Sequence, residues 1–241
     1  MHGAPPQDPR RNQVLSITST FVAAAATLAL AGGLATAGAL TASAATPSCG
    51  HRCIDIVSRE FGTHRHPAYV LDVWRQSAKA GTPIILYRTS NTDKAEDFTV
   101  SFQGTVSDFF AAGLVSSALN LHYSNNWAFE FEYSPNGVNS GLCVGTASTA
   151  ANGTPVVLVP CGASAKSVWV VDSQDSIGRG YVPLINGSDT NFSHPFVLHY
   201  PGNAVPTDTP RPVLNTWNLQ KFSNGSVFDN ELWGANFGVL R

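Results

Sequence analysis

Four cysteines and a group of nearby histidines are the side chains of this sequence whose types and spacing could do chemistry. Cys49 and Cys53 stand four positions apart, with His51 between them and His64 and His66 shortly after. Thiolate and imidazole ligands for zinc compete there with a simple disulfide. Zinc ligand sets usually combine two spaced pairs of Cys or His, and these histidines fall in a stretch of loop character, so the disulfide is the stronger reading and no metal is expected. Cys143 ends one short apolar run and Cys161 follows the next. A bridge between them would close an 18-residue separation and stabilise the chain by about 3 kcal/mol. Cys49 with Cys53 is then the remaining pair, and both bridges need an oxidising compartment.

Catalytic groups are harder to find. Glycoside hydrolysis needs two carboxylates across the scissile bond. Glu130 and Glu132 lie two apart, but they alternate with Phe129 and Phe131 and read as the solvent side of a half-buried strand. No Gly-x-Ser-x-Gly nucleophile motif is present. Nothing points to an activated group, so the chain is read as a non-enzyme that requires no cofactor.

The elements that must position any site come next. Arg10 and Arg11 precede a run from Val14 to Ala42 rich in Ala, Leu, Val and Gly, and Ala42-Ser43-Ala44 has the small-residue pattern of a signal-peptidase site. Residues 1–44 are therefore expected to be a signal peptide, removed on secretion and leaving no membrane attachment; a membrane anchor is the competing reading. The paired arginines also suggest twin-arginine export, although Gln13 and Val14 stand where that motif usually carries bulkier apolar residues. The whole chain has 14 Lys plus Arg against 16 Asp plus Glu, a net charge of −2. Loss of Arg10, Arg11 and Asp8 with the leader makes this about −3. Such a surface argues against nucleic acid as a partner, because phosphate binding needs a basic stripe.

Residues 45–241 are expected to form one domain. With 15 Pro and 21 Gly in the whole chain and many short apolar runs, the composition points to an all-β fold. Internal repetition is visible. Gly81-Thr82-Pro83 matches Gly153-Thr154-Pro155, Leu71-Asp72 matches Val144-Gly145, and Phe98 matches Trp169 at nearly equal spacing. A third unit is more divergent: HPFVLH from His194 echoes HPAYVLD from His66, which sets His199 against Asp72.

Cys143, Val144, Gly153-Thr154-Pro155-Val156, Leu158, Cys161 and Trp169 stand at the spacings of a repeat of the ricin-type β-trefoil lectin family, and Asn230-Glu231-Leu232-Trp233 resembles that family's Asn-Gln-x-Trp ending. The resemblance implies a β-trefoil of three divergent repeats: about 53–105, 128–178 and 179–241, with an insertion, 106–127, between the first two. Phe98, Trp169 and Trp233 would form a shared core. In another register Trp217 is the motif tryptophan of the third repeat.

The same resemblance implies carbohydrate or polysaccharide as the partner, bound by an Asp, a stacking aromatic and an Asn. The first repeat keeps Asp72 and Tyr87; it has Ile85 where the family places Gln and Ala95 where it places Asn, with Asn91, Asp93 and Glu96 close enough to substitute. Binding is therefore expected at Asp72, Tyr87, Asn91 and Glu96, with a weaker site of altered chemistry at His199, Trp217 and Asn230. The second repeat, with Gly145, Val157, Val159 and Lys166 at those places, should be silent. The alternative is a trefoil that contacts proteins or inhibits a protease. The insertion would serve it, and its apolar residues show neither clean alternation nor a helical period, so it reads as a loop covering one end of the barrel.

Overall fold

Runs of β-branched and aromatic residues, divided by Gly, Asn and Ser turns, form twelve strands among the residues that the computed structural model describes: 53–62, 69–90, 92–176, 180–202 and 213–237, all within the unit spanning 41–241. These are β1 (Ile54–Ser58), β2 (Tyr69–Val73), β3 (Ile84–Arg88), β4 (Phe98–Thr105), β5 (Trp127–Tyr133) and β6 (Leu142–Thr146). They continue with β7 (Thr154–Pro160), β8 (Trp169–Val171), β9 (Leu184–Asn186), β10 (Phe196–His199), β11 (Asn215–Asn218) and β12 (Trp233–Phe237). The helices are short: α1 (Arg59–Gly62), α2 (Val106–Ala111) and α3 (Ser117–Tyr123). The proposed leader, 1–44, lies outside the described residues, and no described helix is long and apolar enough to cross a membrane.

Six strands close a barrel. β12 pairs with β1, β1 with β4, β4 with β5, β5 with β8 and β8 with β9, and a bridge between Val182 and Trp233 joins the last strand to the first. Closure leaves no sheet edge exposed there. The other six strands make three hairpins, β2–β3, β6–β7 and β10–β11. Their second strands meet in a ring: Pro83 pairs with Val157, Pro155 with Asn215, and Val213 with Ile85. Each position that opens a second strand therefore meets the same position of the next unit, two residues further on. A six-stranded barrel under a cyclic triangle of hairpins is a β-trefoil.

Alternation along the strands fills the barrel. Ile54, Ile56, Leu71, Ile84, Phe98, Val144, Leu158, Trp169, Leu198 and Trp233 are among the residues of one central core. Trp233, not Trp217, takes the inward place in the third unit. Its indole N–H donates to the Leu198 carbonyl, as that of Trp169 donates to Val144.

The insertion departs from the loop expected of it. Thr105 caps α2 by accepting from the Asp108 N–H while the Asp108 carboxylate accepts from the Thr105 N–H, and Ser116 caps α3 through Leu119. The two helices and the link between them carry Val106, Phe109, Val115 and Leu119 into a second core with Ala128, Val168, Val170 and Ile185 on or beside the barrel strands and Val197 on β10. Helices of one to two turns show too little sequence for a period to emerge, and tertiary packing stabilises them instead.

Glu130 and Glu132 also depart from expectation: both are buried. Glu130 accepts from the Gly162 N–H and the Ser167 hydroxyl, and Glu132 accepts from the Gly141 N–H at 2.7 Å. The chain folds back over this strand face, and the carboxylates serve as anchors for loop backbone that would otherwise be unpaired. Cys143 and Cys161 form the disulfide that pins the ends of the β6–β7 hairpin. Cys53 is buried, with its sulfur 3.9 Å from the Ser134 carbonyl; Cys49, His51, His64 and His66 lie outside the described residues.

Candidate functional site

The strand registers place equivalent residues on the outer face of each hairpin. In β2–β3, Asp72 faces Ile85 and Val70 faces Tyr87. In β6–β7, Gly145 faces Val157 and Cys143 faces Val159. In β10–β11, His199 faces Asn215 and Val197 faces Trp217. A single turn of 3-10 helix follows each hairpin and brings Ala95, Lys166 or Asn230 alongside. Three places are thus built alike, and their side chains decide what each can do.

The third is the most complete. His199 Nδ1 lies 2.8 Å from Asn215 Oδ1, and its Nε2 lies 3.1 Å from Asn230 Nδ2. Because Asn215 offers a carbonyl oxygen and Asn230 an amide N–H, the ring is held as the neutral tautomer with its proton on Nδ1. Burial acts in the same direction and lowers the His199 pKa, against the Asn215 hydrogen bond, which raises it. Asn230 also donates to the Tyr200 carbonyl at 3.1 Å, which fixes its amide plane. Trp217 is half-buried and stacks on the His199 ring at 5.7 Å with an interplanar angle of 29°. Two polar groups remain without a partner among the described residues: the Asn215 amide N–H and the Asn230 carbonyl oxygen. One donor and one acceptor beside an aromatic face suit a ligand that presents vicinal hydroxyls on an otherwise apolar ring. Beside Asn230 opens a shallow cavity of about 380 Å³ that also contacts Phe222, Phe228 and Glu60.

His199, Trp217 and Asn230 are thus brought together as the sequence suggested. Asn215 was missed by that reading. The signal was present, since Asn215 precedes Trp217 by the same two positions that separate Ile85 from Tyr87, but it becomes usable only after Trp217 is registered on the hairpin.

The first place is differently built from the shallow pocket expected there. Asp72 and Glu96 are both buried, and Tyr87 is half-buried. Glu96 accepts from the Thr89 hydroxyl at 2.9 Å and from the Ser90 N–H through both oxygens, so its acceptors are directed inward. Asp93 accepts from Gln76 Nε2 and the Ala95 N–H. Burial, together with the charges of Asp55 and Asp72, raises the Glu96 pKa to about 9 despite these hydrogen bonds, which lower it. Asn91 lies outside the described residues. Asp72, Asp93 and Glu96 bring one carboxylate oxygen each within 4.8 Å of one another, the closest approach to a cation site among the described residues. The hydrogen bonds already made to Asp93 and Glu96 account for that grouping without an ion.

The second place is closed. A Cβ at Gly145 would lie 2.5 Å from Val159 Cγ2 and 2.8 Å from the Lys166 carbonyl. Val159 and the Lys166 backbone occupy the volume where the other units hold Asp72 or His199, so glycine is required and no pocket remains.

No protein-family model matches this sequence. No curated protein matches it. Solved structures similar to it include ThreeFoil, a designed 3-fold symmetric protein (16% identity over 76% of this chain and 96% of that one, TM-score 0.48). The Macrolepiota procera ricin B-like lectin, in complex with lactose, is 16% identical over 77% of this chain and 95% of that one, with a TM-score of 0.44. An exo-β-1,3-galactanase from Clostridium thermocellum is 13% identical over 76% of this chain and 30% of that one, with a TM-score of 0.49. The fold assignment rests on the closed barrel and the cyclic cap pairings.

Proposed function

We propose that this β-trefoil is a secreted, non-catalytic carbohydrate-binding module, a degenerate relative of the ricin-type lectins, and that its principal site is the third hairpin. The observation that carries this reading is the Asn215–His199–Asn230 network beside Trp217, which leaves one amide donor and one amide acceptor next to an aromatic face. Stacking of a sugar's apolar face on Trp217 and bonding of two hydroxyls to the amides would orient the ring. The groups are held in place before the ligand arrives, which reduces the ordering loss on binding. A lone pocket of this kind binds at about millimolar affinity, near −4 kcal/mol, and gains strength when several copies meet a polysaccharide.

The test is a glycan and polysaccharide binding screen of the wild type beside Trp217→Ala, Asn230→Ala and Asp72→Ala. Loss of binding in the first two with retention in the third supports the third-hairpin site. Loss in Asp72→Ala alone would return the site to the first hairpin, and absence of binding by the folded wild type would end the lectin reading.

A second reading has its own observation. Large apolar side chains are exposed along the inserted segment, Phe110 at 43%, Leu121 at 82% and Trp127 at 56%. They favour a protein contact there, which Leu121→Asp would abolish in a pull-down while sparing sugar binding.

A further inference from the structure

The His199 network does not end at Asn230. From its place in the 3-10 turn Asp229–Glu231, Asn230 also lines the neighbouring cavity of about 380 Å³. The other walls of that cavity are Glu60 of α1 and the short hairpin after β11, with Phe222, Ser226, Val227 and Phe228. One asparagine is therefore shared between the place built by His199 and Trp217 and a second recess within the size range of small-ligand sites.

Both walls are fixed by their own contacts. The hairpin closes through the pairing of Lys221 with Val227 and the Phe222 N–H, which donates to the Ser226 carbonyl at 2.8 Å; Gly225, at φ +84°, makes its turn. The Phe222 and Phe228 rings are stacked at 4.0 Å with an interplanar angle of 28°. Phe222 is nonetheless 48% exposed, and outside the insertion it is the one exposed large aromatic among the described residues. On the opposite wall the Arg59 N–H donates to the Leu232 carbonyl at 2.9 Å. The Arg59 guanidinium lies 3.7 Å from Asp229 and over the Tyr181 ring at 5.6 Å. These contacts lock α1, and Glu60 with it, against the turn that carries Asn230.

The chemistry of these walls matches the two kinds of surface on a sugar ring. Phe222, backed by Phe228, offers an aromatic platform to an apolar ring face. Glu60 offers an acceptor to hydroxyls. One of its oxygens is shut off from solvent with no hydrogen-bond partner, and burial, then Asp229, raise its pKa. A hydroxyl donated to this carboxylate would supply a bond that the protein does not. A purely apolar ligand would leave Glu60 drier still and unpaired. An acidic ligand would meet Glu60 and Asp229, with the nearby Arg59 already engaged. A neutral sugar therefore suits the cavity, and the wall shared through Asn230 suits a further ring of the same chain.

We propose that this cavity is a second subsite of the third-hairpin site, so that the ligand is a neutral oligosaccharide with one ring on Trp217 and a further ring on Phe222, its hydroxyls donated to Glu60. The proposal rests on the third-hairpin reading. The experiment is an NMR titration of the full chain with the monosaccharides, disaccharides and tetrasaccharides of the β-linked galactose, glucose and xylose series, beside a galacturonate tetramer. The tetrasaccharide of the recognised series should bind about tenfold more tightly than its monosaccharide, beyond the statistical gain of presenting several rings. Phe222→Ala should bring the tetrasaccharide down to the affinity of the monosaccharide and leave the monosaccharide unchanged, which also shows that the variant is folded. Glu60→Ala should weaken the tetrasaccharide several-fold with the same sparing, whereas Trp217→Ala should weaken both. Equal affinity at every length, a tetrasaccharide affinity unchanged in Phe222→Ala, or a galacturonate tetramer that binds as tightly as the neutral one overturns the subsite and leaves the third-hairpin reading standing. No binding at any length overturns both.

Discussion

The indole N–H groups of Trp169 and Trp233 make the same bond in successive units, to the carbonyls of Val144 at 2.9 Å and Leu198 at 2.8 Å. Both acceptors sit one residue before the outer-face position of their hairpin, Gly145 and His199. The first unit has Phe98 at the corresponding place against Leu71, and a phenyl ring has no donor to give. Two equivalent indole bonds thus help tie the barrel to its cap.

Replacing either tryptophan with Phe should leave a buried carbonyl unpaired and destabilise the fold by about 1–3 kcal/mol. The two losses should be similar, because the bonds are equivalent. Replacement by Ala adds a cavity and should cost about 3–5 kcal/mol. Urea unfolding of Trp169→Phe, Trp233→Phe and the Ala variants measures both.

Trp217 should behave in the opposite way. It is half-buried on an outer strand and lies outside the central core, so Trp217→Ala should lower stability by less than about 1 kcal/mol while weakening glycan binding at least tenfold, about 1.4 kcal/mol. Paired unfolding and binding curves separate the two effects.

Alkaline pH should destabilise this protein. Asp55 is buried with neither carboxylate oxygen hydrogen-bonded, and desolvation, then Asp97, raises its pKa to about 8. Desolvation first, and smaller effects with it, raises Glu96 to about 9, and desolvation raises Glu231 to about 7. A carboxyl whose folded pKa lies above its unfolded one binds its proton more tightly in the folded state. Its contribution is fully present below the unfolded value near 4 and is lost as pH rises through the folded value. Tm should therefore fall between about pH 5 and pH 9, and Asp55→Asn should flatten much of that decline and exceed the wild type at the alkaline end. His199 works in the other direction. Its lowered pKa means that acid, by protonating Nε2, breaks the bond from Asn230 and should weaken glycan binding below the ordinary histidine range near 6.5.

The insertion should contribute to stability. Phe109 is fully buried in the second core and packs edge-on against Phe102 at 4.5 Å. Phe109→Ala should cost about 3–5 kcal/mol. Removal of residues 106–126 should expose Val170, Ile185 and Val197, which increased binding of a hydrophobic dye would report.

Removal of the Cys143–Cys161 bridge, by substitution of both residues with Ala, should lower stability by about 3 kcal/mol for a loop of this length. Unfolding of the variant beside the wild type, with and without reductant, gives the value, and reductant should affect the variant far less.

What the sequence determined by itself is local. Short β-rich runs between Gly and Asn turns follow from strand alternation and turn chemistry, which act over a few residues, while the repeated Gly-Thr-Pro, the cysteine spacing and the motif aromatics Phe98, Trp169 and Trp233 carry the resemblance to the ricin-type repeat. These features made the trefoil legible. Tertiary structure alone decided the rest, because burial and charge depend on what packs across the chain. Glu130 and Glu132 alternate like solvent-facing residues, yet loop backbone 32 residues further on covers the first and loop backbone 9 residues further on covers the second. Asp72 and Glu96 have the types of a sugar site, yet they are drawn into a buried acidic group, whereas His199 acquires Asn215 and Asn230 across 16 and 31 residues. Strand pairing is a long-range choice, and it sets which polar groups end in water, which end in a pocket and which are consumed as anchors.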